Sequence, residues 1–353
     1  MSYVANIFLF PISVIWDFVH RLRRLLYLYG PLTPRRFRVP IVSVGNLTFG
    51  GTGKTPFTLW LSKFLEAQGN KVMVLTRGHK GNLEHKSGII EKNKKFPVGP
   101  ETFGDEPVLL ARRLETVPIV VGKRRAENLQ YYFDQISPDV VVLDDGHQHI
   151  QLDRNFNIVL FDGLSNLESY KVAPMGQLRE NLKAIDSANL VVINHAKKAG
   201  KEKVKKLIDK ISPYLHEKAE ILEIDYRPTG LFNFNFIPGP NLSDLQNKSV
   251  IVVSAIGAPH SFFQQVEFLG ANIVEKFVFP DHYYYKSQDI LQIIDKAQKE
   301  DAIIITTEKD IVKMRRVYQS ELIFYLEIGV EFLDQTKKSA AENAILKGLK
   351  ESL

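Results

Sequence analysis

The sequence of 353 residues contains no cysteine. This absence excludes disulfide scaffolds, zinc sites with thiolate ligands, iron–sulfur clusters and a cysteine nucleophile, and it fits a reducing, cytoplasmic compartment.

A hydrophobic run long enough to span a membrane is also missing. The apolar stretch at 3–16 contains Asn6, Pro11 and Ser13, and it falls short of the roughly 20 residues that a spanning helix needs. We therefore expect no segment to cross a bilayer.

The N-terminal segment also lacks the features of a secretory signal. Its positive charges, Arg21, Arg23 and Arg24, follow the apolar run instead of preceding it, and no small-residue cleavage site is present. Apolar residues continue around these arginines, which is typical of a helix that lies in the headgroup layer with its cations on anionic lipid. The alternative is a helix that only packs on the folded domain. We predict a membrane-associating helix within residues 1–30.

The composition is that of a folded protein with an anionic partner. Hydrophobic residues make up 44% and charged residues 24% of the chain, so a sizeable core can form and most of the chain is not disordered. The length favours two domains or one large α/β domain. Lys and Arg exceed Asp and Glu by 46 to 40, an excess that suits phosphate, a membrane surface or nucleic acid. Because no nucleic-acid-binding motif is present, we expect no nucleic acid, and no obligate protein partner is evident.

Short apolar runs alternate with helical patterns from position 39 onward, which predicts an α/β fold with a mostly parallel sheet and helices on both faces. Several runs lack polar alternation, as strands buried on both faces should. The predicted strands of the first α/β unit are 39–45, 71–76, 118–122, 140–144, 157–162 and 190–194. A second, smaller α/β unit has predicted strands at 249–257, 274–279 and 302–307, with a helix at 287–300.

The two units are joined by a segment with strand character, and the tail at 322–333 is expected to return as a strand beside it. A final helix is predicted near 337–351. The predicted division of the chain is an N-terminal helix (1–30), a P-loop domain (31–220), a linker (221–245), a second α/β domain (246–322), and a return strand with the C-terminal helix (323–353).

The sharpest motif is TFGGTGKTP at 48–56, between a predicted strand and a predicted helix. That placement is the context that a phosphate-binding loop requires, so the fold is expected to be P-loop NTPase-like. Lys54 would supply a point charge to phosphate and Thr55 a Mg²⁺ ligand. The common pattern has glycine at the first position, where this chain has Thr48. The predicted nucleotide-binding residues are Thr48, Phe49, Gly50, Gly51, Thr52, Gly53, Lys54 and Thr55.

Acidic residues stand at two further positions. Asp144 and Asp145 end a buried strand, and one of them is the candidate to complete the Mg²⁺ shell. Asp105 and Glu106 precede a helical run, where they could cap the helix and compensate its dipole. The alternative for this pair is catalysis, since phosphoryl transfer to a hydroxyl needs a carboxylate near the P-loop to accept the proton.

Two histidines and two arginines complete the candidate set. His147 and His149 could ligate zinc if the strand continued, but no third ligand stands at a suitable spacing. The other interpretations are a structural pair or a pair near the phosphate. Arg77 and Arg179 could hold phosphate or transition-state charge, with surface salt bridges as the alternative.

Seven motifs occur in an order that resembles the tetraacyldisaccharide 4'-kinase family of lipid A biosynthesis in Gram-negative bacteria. The resemblance runs from about residue 8 to 320. The motifs are SVGNLTFGGTGKTP (43–56), LTRGHKG (75–81), GDEP (104–107), DDGHQH (144–149), GQLRE (176–180), FPDH (279–282) and TTEKD (306–310).

The resemblance implies an ATP- and Mg²⁺-dependent kinase that phosphorylates the 4'-hydroxyl of an acylated glucosamine disaccharide 1-phosphate. The enzyme would sit on the cytoplasmic face of the inner membrane as a peripheral or monotopic protein. By resemblance, Asp105 is the base and His282 is the residue that tunes it across a cleft. The remaining assignments by resemblance are Lys54 and Thr55 as phosphate and metal contacts, Glu106, Asp144 and Asp145 as metal-proximal acids, and Arg179 near substrate or phosphate.

The chain departs from the family pattern at two positions, and one rival interpretation remains. His79 stands where the family usually has tyrosine, and Ile150 stands where arginine is common. The rival is a membrane-associated P-loop ATPase switch of the partitioning type, which also carries a GGxGKT loop. Those proteins normally have a lysine before the double glycine, and this chain has Phe49 there.

Overall fold

The computed structural model describes residues 3–91 and 99–351. Residues 1–2 of the predicted N-terminal segment, 92–98 of the predicted P-loop domain and 352–353 at the end of the predicted C-terminal region lie outside the described residues.

Within the described residues, twelve strands form one sheet with the order β10-β9-β11-β12-β8-β7-β6-β1-β5-β2-β4-β3. Neighbouring strands are parallel except for the pairs β3–β4 and β8–β12. The strands are β1 (Ile41–Asn46), β2 (Val72–Thr76), β3 (Gly88–Ile90), β4 (Ile119–Val121), β5 (Val140–Asp144), β6 (Phe156–Asp162), β7 (Leu190–Asn194), β8 (Glu220–Asn233), β9 (Ser249–Ser254), β10 (Asn272–Val278), β11 (Ile303–Thr307) and β12 (Ile323–Phe332).

Helices cover both faces of this sheet. Along β2, Val74 packs with Leu61 on one face, whereas Met73 and Leu75 pack with Leu129 on the other. The predicted α/β class with a mostly parallel sheet is therefore confirmed. The helices are α1 (Tyr3–Leu28), α2 (Lys54–Ala67), α3 (Pro100–Phe103), α4 (Asp105–Arg113), α5 (Arg125–Ile136), α6 (Ala196–Ala199), α7 (Lys201–Ile211), α8 (Pro259–Phe268), α9 (Ser287–Lys299), α10 (Glu308–Met314) and α11 (Gln335–Lys350).

The predicted linker is a strand of the sheet itself. β8 pairs with β7 on one side and with β12 on the other, so it connects an N-terminal part of the sheet, β1 to β7, with a C-terminal part, β9 to β11. The tail returns as β12 beside β8, as predicted. Helix α11 then packs back on the N-terminal part, where Ile345 and Leu349 join the same core as Phe156.

Some predicted strand bounds differ from the observed ones for local reasons. The first strand begins at Ile41 because Pro40 has no amide to donate to a ladder. The strand predicted at 249–257 ends at Ser254, and the Ala255 amide donates to Asp310 Oδ2 at 3.0 Å instead of to a strand. The edge strand β3 was not predicted, because three residues that pair only with β4 leave no periodic signal.

Helix α1 exposes large apolar side chains along most of its length. None of the helices in the described ranges is long and apolar enough to cross a membrane. The exposed residues of α1 include Phe8, Phe10, Ile12, Val14, Ile15, Phe18, Val19, Leu22, Leu25 and Leu28.

Candidate active site

The P-loop lies between the end of β1 and the start of α2, as predicted. Gly50 and Gly53 have φ values of 98° and 71°, a left-handed region in which glycine is favoured. A Cβ atom added at Gly50 or Gly51 would meet no atom within 4 Å, so this side of the loop faces open space. Helix α2 begins at Lys54, and its N-terminus has no side-chain cap, which leaves backbone amides for an anion.

Three side chains from strands β1, β7 and β8 hold the carbonyl groups of this loop. Asn46 Nδ2 donates to Thr48 O at 2.9 Å, Asn194 Nδ2 donates to Thr52 O, and Tyr226 Oη donates to Gly53 O at 2.7 Å. The Tyr226 ring also fills the space that a Cβ at residue 53 would need. The loop is therefore fixed by side chains at the ends of β1 and β7 and by one in β8.

The lysine of the P-loop points toward the carboxyl end of β5. Lys54 Nζ lies 3.1 Å from Asn46 Oδ1 and 3.3 Å from Asp145 Oδ1. Thr55 is buried in the first turn of α2. Thr52 Oγ1 is buried and has no hydrogen-bond partner among the described residues. A lysine, free amides and an unpaired hydroxyl fit the phosphate groups of ATP.

Asp144 and Asp145 occupy different electrostatic environments. Asp144 accepts hydrogen bonds of 3.1 Å from Thr58 and from Thr76. Burial, together with the charges of Glu106 and Asp145, raises the pKa of Asp144 to about 6. Burial acts against the charged form of Asp145 as well, but Lys54 and Arg179 lower its pKa to about 2.

The GDEP motif brings two further carboxylates to the same region from the first turn of α4. Glu106 Oε1 lies 2.8 Å from Lys309 Nζ, and the charge of Lys309 lowers the pKa of Glu106. Lys54 also lowers this pKa, and Asp145 raises it. Glu106 therefore shares one charged cluster with the P-loop lysine and the acids that follow β5.

Asp105 and His282 meet across the two parts of the sheet. His282 Nδ1 lies 3.0 Å from Asp105 Oδ2, and Lys313 Nζ lies 3.8 Å from the same oxygen. Burial acts to raise the pKa of Asp105, but the hydrogen bond of His282 and the charge of Lys313 bring it below the usual value. The predicted juxtaposition of these two residues is thus present in the structure.

The residues predicted to hold a metal suit Mg²⁺ better than zinc. Thr55, Glu106, Asp144 and Asp145 offer only oxygen atoms, and the repulsion among the three carboxylates is what a bound cation would relieve. No group of three or more acidic or histidine side chains in the described ranges could hold a metal by itself.

Arginine residues surround the two histidines that follow β5, which disfavours the zinc interpretation. His147 Nε2 lies 3.2 Å from Arg24 Nη2, and burial with the charges of Arg24 and Arg154 holds the pKa of His147 well below its usual value. Burial and Arg125 lower the pKa of His149 to about 3. Arg24 also pairs with Glu180, so the expectation that it lies on anionic lipid is wrong.

The two candidate arginines have different surroundings. Arg179 Nη1 lies 3.3 Å from Asp145 Oδ2, and its guanidinium carbon lies 5.4 Å from the centroid of the Phe49 ring. Arg179 therefore belongs to the charged cluster. Arg77 instead pairs with Glu84 at 2.6 Å, which favours the salt-bridge alternative. His79 lies beside His282, with the centroids of the two rings 6.1 Å apart.

Several residues of the site were not predicted from sequence. Lys309 lies in the TTEKD motif, which was noted without a role, and that motif was the only signal for it. Tyr226 and Asn194 act through bonds to P-loop carbonyls, and no local pattern marks such residues. Their contribution depends on β7 and β8 lying next to one another in the sheet.

Comparison with known proteins gives one family that matches nearly the whole chain. The model of the family described as tetraacyldisaccharide-1-P 4'-kinase matches residues 5–349. The tetraacyldisaccharide 4'-kinase of Halothermothrix orenii is 33% identical over 329 residues, which cover 89% of this chain and 85% of the relative. That of Bdellovibrio bacteriovorus is 30% identical over 344 residues, covering 97% and 99%. Among solved structures, LpxK from Aquifex aeolicus in complex with ATP has a TM-score of 0.77 at 28% identity, covering 96% and 98%.

Proposed function

The chain belongs to the tetraacyldisaccharide-1-P 4'-kinase family, and from this premise we propose the reaction that it catalyses. The enzyme transfers the γ-phosphoryl group of ATP to the 4'-hydroxyl of a tetraacylated glucosamine disaccharide 1-phosphate, a step of lipid A biosynthesis. The observation that carries the proposal is the adjacency of Asp105 and Glu106. Asp105 pairs with His282, and the charge of Lys54 in the P-loop lowers the pKa of Glu106.

The nucleotide-binding role rests on the loop that precedes α2. Its amides and Lys54 would bind the β- and γ-phosphates of ATP. Thr55, Glu106, Asp144 and Asp145 would hold Mg²⁺, which supplies charge neutralisation at the phosphate oxygens when it is bound with the nucleotide. Lys54 and Arg179 would stabilise the negative charge that spreads over the transferring group.

The proposed chemistry of the protein is proton transfer at Asp105. The oxygen of the sugar hydroxyl forms a bond to the γ-phosphorus while the bond between that phosphorus and the β–γ bridging oxygen breaks, and ADP leaves. The hydroxyl proton goes to a carboxylate oxygen of Asp105. His282 would orient this carboxylate. Lys313, which lies close to the same carboxylate oxygen as His282, would keep it charged.

The substrate requires the enzyme to work at a membrane. A lipid with several acyl chains does not leave the bilayer readily, because exposing each methylene to water costs about 0.8 kcal/mol. We therefore propose that α1 docks on the cytoplasmic leaflet of the inner membrane. Its exposed apolar residues support this, and Arg21, with a side chain 52% exposed, remains available to anionic headgroups.

The first prediction tests the P-loop. Lys54→Ala should lower phosphorylation of a detergent-dispersed disaccharide lipid by about 100-fold or more, because a preorganised charge on the transferring group is lost. The measurement is incorporation of radiolabelled γ-phosphate into the lipid. Lys63→Ala is the matched control, since this lysine lies on the same helix and is exposed. Normal turnover in a folded Lys54→Ala protein would contradict the proposal.

The second prediction concerns the pair Asp105 and His282. Residues that act as a unit give non-additive losses, so Asp105→Asn combined with His282→Ala should be hardly worse than the poorer single variant. His282→Ala alone should move the acid limb of the kcat/KM profile to higher pH, since the bond that lowers the pKa of Asp105 is gone. His260→Ala serves as the control, since His260 is exposed. Losses that simply multiply would show that His282 acts separately.

The third prediction concerns α1. Phe18, Leu22 and Leu25 lie on one side of the helix and are exposed, so replacing all three by serine should weaken flotation with anionic vesicles. The apparent KM for lipid should rise, while the affinity for ATP stays nearly unchanged. Phe268→Ser removes an even more exposed aromatic group from α8 and should change neither quantity. Unaltered vesicle binding by the triple variant would place the membrane contact elsewhere.

A further inference from the structure

The side of α1 that faces the protein contacts one segment beside the P-loop, residues 172–180. Ser13 Oγ donates to Val172 O at 2.8 Å, and Trp16 Nε1 donates to Arg179 O at 2.9 Å. Arg24 Nε donates to Glu180 Oε2 at 2.5 Å. Three polar contacts spread over three turns of the helix thus hold both ends of this segment.

The contact of Arg24 is buried, in contrast to that of its neighbour Arg21. The side chains of Arg24 and Glu180 are 16% and 5% exposed, and Arg24 Nη2 also reaches His147 Nε2 at 3.2 Å. Arg21 instead pairs with Asp17 of its own helix, and its side chain is 52% exposed. Removing Arg24 would leave a buried carboxylate without its partner, whereas removing Arg21 breaks an exposed pair.

The 172–180 segment is attached to the P-loop on its other side. Phe49 N donates to Gln177 O at 2.8 Å, and Arg179 N donates to Leu47 O at 2.7 Å. The side chain of Arg179 then extends to Asp145. The backbone of residue 179 is therefore fixed between Trp16 of α1 and the loop, and its guanidinium lies in the charged cluster of the site.

We propose that Arg24 and Trp16 are positioning residues through which the membrane helix holds Arg179 in the active site. The inference rests on the proposed function in one respect, namely that Arg179 acts on the transferring phosphate. Helix α1 then has two roles on two faces. Its apolar face meets the lipid, and its polar face fixes the segment that carries Arg179. If the helix is displaced, the guanidinium of Arg179 is no longer held beside Asp145.

The test compares Arg24→Gln with Arg21→Gln, since each removes one charge from the same helix. Flotation with anionic vesicles should weaken more in Arg21→Gln than in Arg24→Gln, because the side chain of Arg21 is exposed and that of Arg24 is paired with Glu180. For the detergent-dispersed lipid, Arg24→Gln should lower kcat by about 10-fold to 100-fold, the range expected when a group at the reacting centre is misplaced. Arg21→Gln should keep the wild-type kcat. The exchanged pair, Arg24→Glu with Glu180→Arg, should recover most of the loss, and Trp16→Phe, which keeps the ring but not the donor, provides a milder variant.

Hydrogen exchange of the 172–180 segment gives a readout that does not depend on kinase activity. The amides of Leu178 and Arg179 should exchange about 10-fold faster in Arg24→Gln than in Arg21→Gln, because a charge-assisted bond to the segment is lost. Unchanged exchange and unchanged kcat in Arg24→Gln would overturn the proposal. So would a rise in KM that parallels lost vesicle binding, which would make Arg24 a membrane anchor. A wild-type protein that does not phosphorylate the lipid would refute the proposed function, while the exchange rates would still decide the positioning role.

Discussion

The carboxylate of Asp105 is buried, yet the proposed chemistry requires it to be charged. Burying an isolated carboxylate is costly, so the charge must be compensated by partners close to it. The N-terminal part of the sheet provides the carboxylate, on the first turn of α4. The C-terminal part provides the compensation, through His282 at 3.0 Å and Lys313 at 3.8 Å. In the proposed mechanism both parts are therefore needed at Asp105, which gives a physical reason for the close association of the second α/β unit with α4.

This requirement explains the contacts that hold the two parts together. Arg113, at the end of α4, pairs with Glu308 of α10 at 2.7 Å and with Glu327 of β12 at 3.2 Å. The helix that begins with Asp105 is thus fixed at its far end to the part that provides His282. The strand between the parts contributes as well, since Tyr226 of β8 holds the carbonyl of Gly53. Helix α1 adds the third support, at the segment that carries Arg179.

The sequence could predict those features that depend on local pattern. Strand β7 has the bounds predicted from its apolar run, and the P-loop stands where its glycines and lysine indicate. Features that depend on strand order or helix orientation could not be predicted. Tyr226 belongs to a stretch that resembled a linker, and Arg24 looked like one of three equivalent membrane cations. His282, distant from Asp105 in the chain, was assigned only through the family resemblance, because no spacing rule links the two positions.

In the proposed mechanism the site separates nucleotide binding from proton acceptance, with the P-loop responsible for the first and Asp105 for the second. Calorimetric titration of Mg²⁺ and ATP into the Asp105→Asn protein, followed by measurement of phosphoryl transfer to the disaccharide lipid on the same sample, tests it most directly. We expect an ATP affinity close to that of the unaltered protein and a transfer rate lower by about 100-fold or more. An unchanged transfer rate, or a loss of ATP affinity that accounts for the whole decrease, would contradict it.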